Sequence, residues 1–321
     1  MGKKIAVIHG GTSSEADIST QNAHYIAQAL ERLGCTVLDV PYDRAMYRTL
    51  LEEAPDGAFL CVQGKGHGDG TLQGILDHLG IPYTGSGREA ATVINNKILC
   101  QTLFRLAGLP VPRNFLWTAA EQAAADGPAR FEQKLKKAGF GFPCVAKAPT
   151  QGGSFGVEYL ASLRRYPAME GVLAYDDPIL VEQFIPGHFV TVGLLERRGE
   201  LLAFPVMQGD SLVDDPDGTV YDSQDYFRPA HLPPETEAEL QELARRAFRV
   251  VNARGYARVD FMYDRNGART PYLLEINAVP GLKPTSLFPP AAEMAGLPYD
   301  EMIGTILEDC LERREPGCSE T

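Results

Sequence analysis

Apolar and polar positions along this chain follow two periods, and each change of period marks an element. The apolar run within residues 3–8 breaks at Gly10-Gly11, and a helical period then continues to about Leu33. Gly34 closes that helix, and a second apolar segment follows over 35–40. Strand, glycine turn, helix, glycine cap and strand make a βαβ unit, so an open parallel sheet is predicted. A third strand over 58–62 enters the glycine-dense stretch 64–70, and Ile81-Pro82-Tyr83 with Gly85-Ser86-Gly87 completes a first domain, residues 1–95.

A helix over 97–106 leads into Leu109-Pro110-Val111-Pro112, where proline fixes the backbone. Residues 119–138 are rich in Ala, Glu and Lys and read as helical. Strands at 144–148 and 157–160 flank a glycine-rich tip, and 179–184 is a further short strand, giving an α+β domain over 96–187. Beyond it, strands are predicted at 190–196, 201–207, 257–263 and 271–277. A polar loop lies at 208–228, a long helix at 234–254 and a terminal helix near 299–313, so a third domain spans 188–321. Residues after 314 are expected to fray.

A formal net charge of −12 argues against a nucleic-acid partner, since a phosphate backbone would be repelled. An anionic nucleotide needs a local positive field made by backbone N–H groups, lysines and a metal. Six scattered cysteines without a CxxC pair suit buried thiols in a reducing cytosol. No leader is visible, Cys318 lacks the aliphatic pair of a prenylation signal, and no apolar run is long enough for a bilayer. A soluble cytoplasmic protein with no membrane contact is expected.

The most informative chemistry is Arg258-Val259-Asp260 followed by Glu275-Ile276-Asn277. Alternate strand residues share a face, so pairing these strands through a turn at Arg265-Asn266-Gly267 would gather Asp260, Glu275 and Asn277. Three oxygen donors without His or Cys suit Mg²⁺ or Mn²⁺ shared with phosphates. The bland alternative is a strand pair with solvated charges, weakened by the interleaved apolar residues.

Thr150-Gln151-Gly152-Gly153-Ser154-Phe155-Gly156 can bring backbone N–H groups onto phosphate oxygens, with Lys147 at the end of the preceding strand. Glycine-rich hairpin tips are usually structural, however, and this is no P-loop. His9-Gly10-Gly11-Thr12-Ser13-Ser14-Glu15 follows the first strand of an open α/β sheet, where ligands bind. Glu15 either accepts a substrate ammonium or only favours the next helix N-terminus. Lys97, alone, reads as an ordinary surface lysine.

Taken in order, His9–Glu15, Asp69-Gly70-Thr71-Leu72-Gln73-Gly74, residues 81–87, Gly255–Asp260, Leu274–Asn277, Pro280-Gly281 and Ser286-Leu287 resemble D-alanine–D-alanine ligases over nearly the whole chain. The resemblance implies an ATP-grasp fold of mixed α/β and α+β class. An N-terminal open parallel sheet domain would stand beside two domains that clasp ATP. It implies an ADP-forming carboxylate–amine ligase that works through an acyl phosphate, with two Mg²⁺ (or Mn²⁺) ions, small amino-acid-like substrates, a homodimer and a role in peptidoglycan synthesis.

By position, Lys97, Lys147, Gly153 and Ser154 would contact the nucleotide, and Glu182-Gln183-Phe184-Ile185 would form the hinge beside adenine. Asp260, Glu275 and Asn277 would bind metal, and Glu15 the first substrate's amino group. Arg258 and the Gly281 N–H would face the tetrahedral oxyanion, and Ser286 with the Leu287 N–H the second substrate's carboxylate.

Several positions depart from the family. Gln63 stands where a His commonly opens the glycine loop, Gly153 replaces a first-substrate serine, and Phe189 replaces an acid expected at the ribose. The loop 220–230 is short and lacks the usual Lys-Tyr pair, while Lys283 adds a cation. These changes leave room for a relative that makes a different dipeptide or amide, for a weakened nucleotide-binding module, or for a kinase that releases a phosphorylated product.

Overall fold

The computed structural model describes residues 2–13, 15–64, 68–209, 227–263 and 270–312. The predicted turn at 265–267 and most of the 208–228 loop, with Tyr221 and Tyr226, lie outside them. Among the described residues no helix is long and apolar enough to cross a membrane.

The first elements are β1 (Lys4–His9), α1 (Ala16–Arg32), β2 (Thr36–Pro41), α2 (Met46–Glu53), β3 (Gly57–Leu60), α3 (Thr71–Leu79) and α4 (Arg88–Ile94). The strands form a parallel sheet in the order β2-β1-β3. Ile5 to Ile8 are all buried because helices cover both faces, which is why β1 reads as a continuous apolar run. Helix α1 buries Ser19, Asn22, Ala23, Ile26, Ala29 and Leu30, a stripe at helical spacing, and stops before Gly34 at φ +80°.

Next come α5 (Lys97–Leu106), β4 (Asn114–Trp117), α6 (Ala119–Gln122), α7 (Gly127–Ala138), β5 (Cys144–Lys147), β6 (Val157–Leu160), α8 (Met169–Leu173) and β7 (Ile179–Gln183). The predicted helical region 119–138 is thus two helices. Residues 123–126 separate them, and Pro128 is tolerated in the first turn of α7. The four strands run β4-β7-β5-β6, all antiparallel, over a core of Trp117, Phe131, Leu135, Tyr166 and Met169.

The remaining elements are β8 (His188–Arg197), β9 (Glu200–Ala203), β10 (Met207–Gly209), β11 (Phe227–Pro229), α9 (Pro234–Val250), β12 (Tyr256–Tyr263), β13 (Pro271–Asn277), α10 (Phe288–Met294) and α11 (Tyr299–Glu312). Their sheet runs β11-β10-β8-β12-β13, with β9 paired to β8. The predicted strand 201–207 is two strands, since Phe204-Pro205-Val206 interrupts the ladder.

Two apolar cores cross between these groups. One joins Cys100 and Phe104 of α5 to Val190, Phe248, Val259, Phe261 and Leu273. The other joins Ile5, Val7 and Ile26 to Leu195, Tyr256, Phe288, Met302 and Ile306, so α10 and α11 close the β1 sheet. Helix α5 is thereby pressed against β13, which fixes where Lys97 can reach.

Candidate active site

In the β12–β13 ladder Asp260 stands opposite Glu275, and Arg258 opposite Asn277. Directly opposed residues share a face, so four polar side chains gather on one side of the sheet. The register then breaks: Phe261 pairs with Leu273, leaving Leu274 as the extra residue of a β-bulge. Burial along β13 shows the same slip, with Leu273 and Ile276 inward and Leu274 and Glu275 both partly exposed. Without the bulge, strict alternation would turn Glu275 toward the face that Leu273 occupies.

Asp260 is 1% exposed and well satisfied. Arg258 donates to it through Nε at 2.8 Å and Nη2 at 2.7 Å, and the Thr191 hydroxyl of β8 donates at 2.6 Å. Glu275 instead meets Lys97 Nζ at 3.0 Å. Asn96 caps α5 by accepting from the Ile98 and Leu99 N–H groups, which places Lys97 in the first helical position. Lys97 Nζ also donates to the Gln151 carbonyl at 2.6 Å, and its own N–H donates to the Pro149 carbonyl at 3.0 Å. One lysine thus ties the glycine loop to the carboxylate pair.

The loop itself is held from below. Asp176 accepts from the Thr150 N–H and hydroxyl at 2.9 Å, and the Ala148 N–H donates to the Gly156 carbonyl at 2.7 Å. Gly153, Ser154 and Gly156 take φ of +58°, +64° and +65°, so the loop tip runs through left-handed backbone at three of its four last positions. Lys147, at the end of β5, pairs with Glu182 Oε2 on β7 at 2.7 Å. Glu182 is buried, Gln183 donates its N–H to the Arg113 carbonyl at 2.8 Å, and the Phe184 ring stands edge-on to Tyr159 at 5.2 Å. Ile185 is buried beside them.

Glu15 reaches the same place from the β1–α1 connection. A Cβ on Gly152 would stand 2.5 Å from Glu15 Oε2, so the loop and the carboxylate are in direct contact. Burial pushes the Glu15 carboxyl up and Glu275 adds to this, against the partly offsetting Lys97 and Arg258. Burial also acts to raise Glu275, but Lys97, Lys147 and Arg258 outweigh it and hold that carboxyl below its usual range. Burial acts to lower Lys97, and Glu275, Glu182 and Glu15 together reverse this, so it is raised. Of the two carboxylates, Glu275 is the committed anion.

The loop after β13 supplies the last side of the site. A Cβ at Gly281 would stand 2.9 Å from Ser286 Oγ, and the Ser286 N–H donates to the Lys283 carbonyl at 2.7 Å. Asn22 of α1 accepts from the Leu282 and Lys283 N–H groups at 2.9 and 2.8 Å, pinning this loop to the β1 side. Gln63, just after β3, is buried and donates to the Val279 carbonyl, so it ties the end of that segment to the start of the same loop. Phe189, in β8, packs on the core beneath the β1 sheet.

The predicted residues Glu15, Lys97, Arg258, Asp260 and Glu275 are therefore brought together, with Lys147 and Glu182 adjoining through Glu275's field and Gln101. Sequence reasoning missed Thr191, Asn22 and Gln101. The available signal was a buried polar residue on an apolar stripe: Asn22 among Ala23 and Ile26, and Gln101 between Cys100 and Phe104.

Among the described residues no three His, Cys, Asp or Glu side chains cluster as a metal site. Two carboxylates and the Asn277 amide oxygen are nonetheless an all-oxygen donor set of the kind that suits Mg²⁺. Asn277 Oδ1 accepts from the Val279 N–H at 3.1 Å and keeps a second lone pair.

A family model described as D-ala D-ala ligase C-terminus matches residues 103–308. The chain is 36% identical over 314 residues to the D-alanine–D-alanine ligase of Moorella thermoacetica, covering 96% of this chain and 99% of that protein. It is 35% identical to the enzyme of that name from Ectopseudomonas mendocina, over 97% and 96% of the two chains. The crystal structure of D-alanine–D-alanine ligase from Bacillus anthracis complexed with ATP superposes with a TM-score of 0.80 at 26% identity, over 98% and 99% of the chains.

Proposed function

The chain belongs to the D-alanine–D-alanine ligase family, an ATP-grasp family of ADP-forming carboxylate–amine ligases, and on that footing we propose that it joins two D-alanine molecules for peptidoglycan synthesis. It is an ATP-dependent ligase acting on small amino-acid substrates. ATP consumption and dipeptide precursor synthesis suit the cytoplasm, and a homodimer suits the family resemblance. The observation that carries the residue-level reading is the meeting of Lys97 with Glu275 and of Arg258 with Asp260 on one sheet face, under the glycine loop and beside Glu15.

The chemistry demands this charge pattern. A donor carboxylate attacking the γ-phosphorus is anion meeting anion, so cations must neutralise the approach and align it. Lys97 and Lys147 serve the phosphates, with the N–H groups around Gly153 and Ser154. Glu182 to Ile185 line the base. Asp260, Glu275 and Asn277 would hold Mg²⁺, which supplies further neutralisation and alignment of the phosphate oxygens when bound. Glu15 holds the donor ammonium beside the loop.

ADP leaves as the acyl phosphate forms, and the acceptor amine then attacks the acyl carbon, with inorganic phosphate as the leaving group and loss of one proton from the amine. Arg258 and the Gly281 N–H face the oxyanion that develops, a type of donor whose loss costs about 3 kcal/mol in other enzymes. Ser286 and the Leu287 N–H hold the acceptor carboxylate. The raised proton affinity of Glu15 relative to Glu275 fits a group that needs a substrate cation to be stable as an anion.

One observation favours a second reading in which the donor differs from D-alanine. Gly153, on the Glu15 side of the loop, offers no hydroxyl to a first substrate, while Arg258, Ser286 and the oxygen donors on the acceptor side keep the family pattern.

Steady-state ADP release with D-alanine, ATP and Mg²⁺ tests the proposal. Release that depends on D-alanine, and its near-abolition in Glu275→Gln with the fold intact, are the expected results. ADP release that needs no amine acceptor would indicate a kinase, and none with any amino acid a binding module.

A further inference from the structure

Gln101 lies one helical turn beyond Lys97 on α5 and is 1% exposed. Its neighbours in the stripe, Cys100 and Phe104, are core residues, so an apolar side chain would satisfy packing at this position. The amide instead joins three strands. Nε2 donates to Glu182 Oε1 on β7 and, at 3.2 Å, to the Leu274 carbonyl on β13. Oε1 accepts from Asn114 Nδ2 on β4 at 2.6 Å, which fixes the rotation of the amide.

Each partner adjoins a group of the active site. Glu182 uses its other oxygen to hold Lys147 Nζ at 2.7 Å. Leu274 is the extra residue of the β13 bulge, the residue before Glu275. A bulge leaves its extra residue without a place in the ladder, so the Leu274 carbonyl needs a partner from outside it. Gln101 supplies that partner. Were β13 to relax to regular pairing, the face of Glu275 would reverse.

We propose that Gln101 is a positioning residue that locks the β13 bulge and orients Glu182, so that one buried amide sets both Glu275 toward the metal-bearing face and Lys147 toward the nucleotide. This rests on the reading of Glu275 and Lys147 given above. The physical content is coupling: Lys97 and Gln101 project from the same face of α5, one gripping the Glu275 carboxylate and the other its backbone approach. Rigid placement of the groups that meet the triphosphate requires such support from behind.

The test measures binding of a non-hydrolysable ATP analogue by calorimetry with and without Mg²⁺, together with KM values, kcat and the Mg²⁺ concentration for half-maximal rate. Gln101→Met keeps length and removes both donations. It is expected to weaken Mg²⁺-nucleotide binding by about tenfold, the scale of one hydrogen bond to a charged group, and to raise half-saturating Mg²⁺ in step. Acceptor KM should stay within about twofold, because the 281–287 loop is held from Asn22 instead. Gln101→Lys, which keeps donors toward Glu182 and Leu274, should recover most of the loss.

A residue that only supports the fold would lower the melting temperature and leave these binding constants alone. Nucleotide affinity and half-saturating Mg²⁺ both within about twofold of wild type in Gln101→Met, inside the usual scatter of surface effects, therefore overturn the proposal. If that variant does not fold, Asn114→Ala, which frees the amide to rotate, must move both quantities in the same direction, and no change overturns the proposal equally. Glu275→Gln separates the two levels. A shift in Mg²⁺ dependence there but not in Gln101→Met removes only the role of Gln101, whereas no shift in either removes the metal reading beneath it.

Discussion

Asp260 and Glu275 face each other across one antiparallel pair, yet each is neutralised from a different direction. Asp260 is gripped in two-pronged fashion by Arg258 of its own strand, and Glu275 by Lys97 from the first turn of α5. Two like charges at directly opposed positions are normally destabilising, and the two cations offset that repulsion.

Glu15 and Glu275 should respond to neutralisation with opposite signs. The folded-state proton affinity of Glu15 is raised above the ordinary value of 4.5, so its favourable contribution exists below that pH and is lost as pH rises through the folded value. Without substrates and with a chelator present, Glu15→Gln should therefore melt above wild type near neutral pH, the gap closing as pH falls toward 4.5. Glu275 is lowered, so its contribution exists above 4.5 and is lost as pH falls through the folded value. Glu275→Gln should melt below wild type at neutral pH, and this gap closes in acid. Thermal melts of both variants across pH check the signs, and a shared sign would refute the assignment.

Arg258→Met should show two losses. Product formation should fall far more than nucleotide affinity, as expected of a group that faces the oxyanion. The protein should also lose about 3 kcal/mol of stability, because Asp260 would remain buried with Thr191 as its side-chain donor and no cation. Urea unfolding measures the second effect, which Mg²⁺ should partly restore. Equal losses in affinity and rate would make Arg258 a phosphate contact.

Gly152→Ala places a methyl where Glu15 Oε2 now lies, 2.5 Å away. The clash is with the end of a flexible side chain, so the fold should survive while Glu15 is displaced. Donor KM should rise by roughly tenfold or more, since small misplacements near a reacting centre are costly. ATP KM should change little. Initial-rate kinetics with each substrate varied separately decide this, and an equal rise in both constants would assign Gly152 to the phosphates instead.

The donor itself is open to a direct trial. A Cβ at Gly153 would meet Phe155 carbons at 3.4 and 3.5 Å and Glu15 Oε1 at 3.6 Å, ordinary contacts, although φ is +58°. A serine therefore fits there at a modest backbone cost. If the missing hydroxyl weakens D-alanine as donor, Gly153→Ser should raise kcat/KM for D-alanine by about tenfold, one hydrogen bond to a charged group. Wild-type turnover with D-alanine alone at ~1 s⁻¹ or faster, ordinary for an enzyme on its own substrate, would remove the case for another donor.

Local pattern was sufficient for much of this protein. The apolar run of β1, the glycine after α1, the asparagine that caps α5 and the i, i+2 spacing of Glu275 and Asn277 are all short-range signals. Helix and strand periods are written within a few residues, so most element positions could be read from them. The boundaries that sequence placed badly are the turn at 123–126, just ahead of the proline in the first turn of α7, and the break at Phe204-Pro205-Val206.

The tertiary structure alone decided which side chains meet. Nothing in the spacing of Lys97 and Glu275, or of Asn22 and Lys283, announces a contact, because each pair is brought together by the packing of apolar faces elsewhere on α5 and α1. The bulge at Leu274 is likewise a property of two strands in register and not of either alone. Within α5 alone Gln101 is one more polar residue in a helix; its partners come from β4, β7 and β13. A buried amide shows its purpose only when its partners have been delivered from distant parts of the chain.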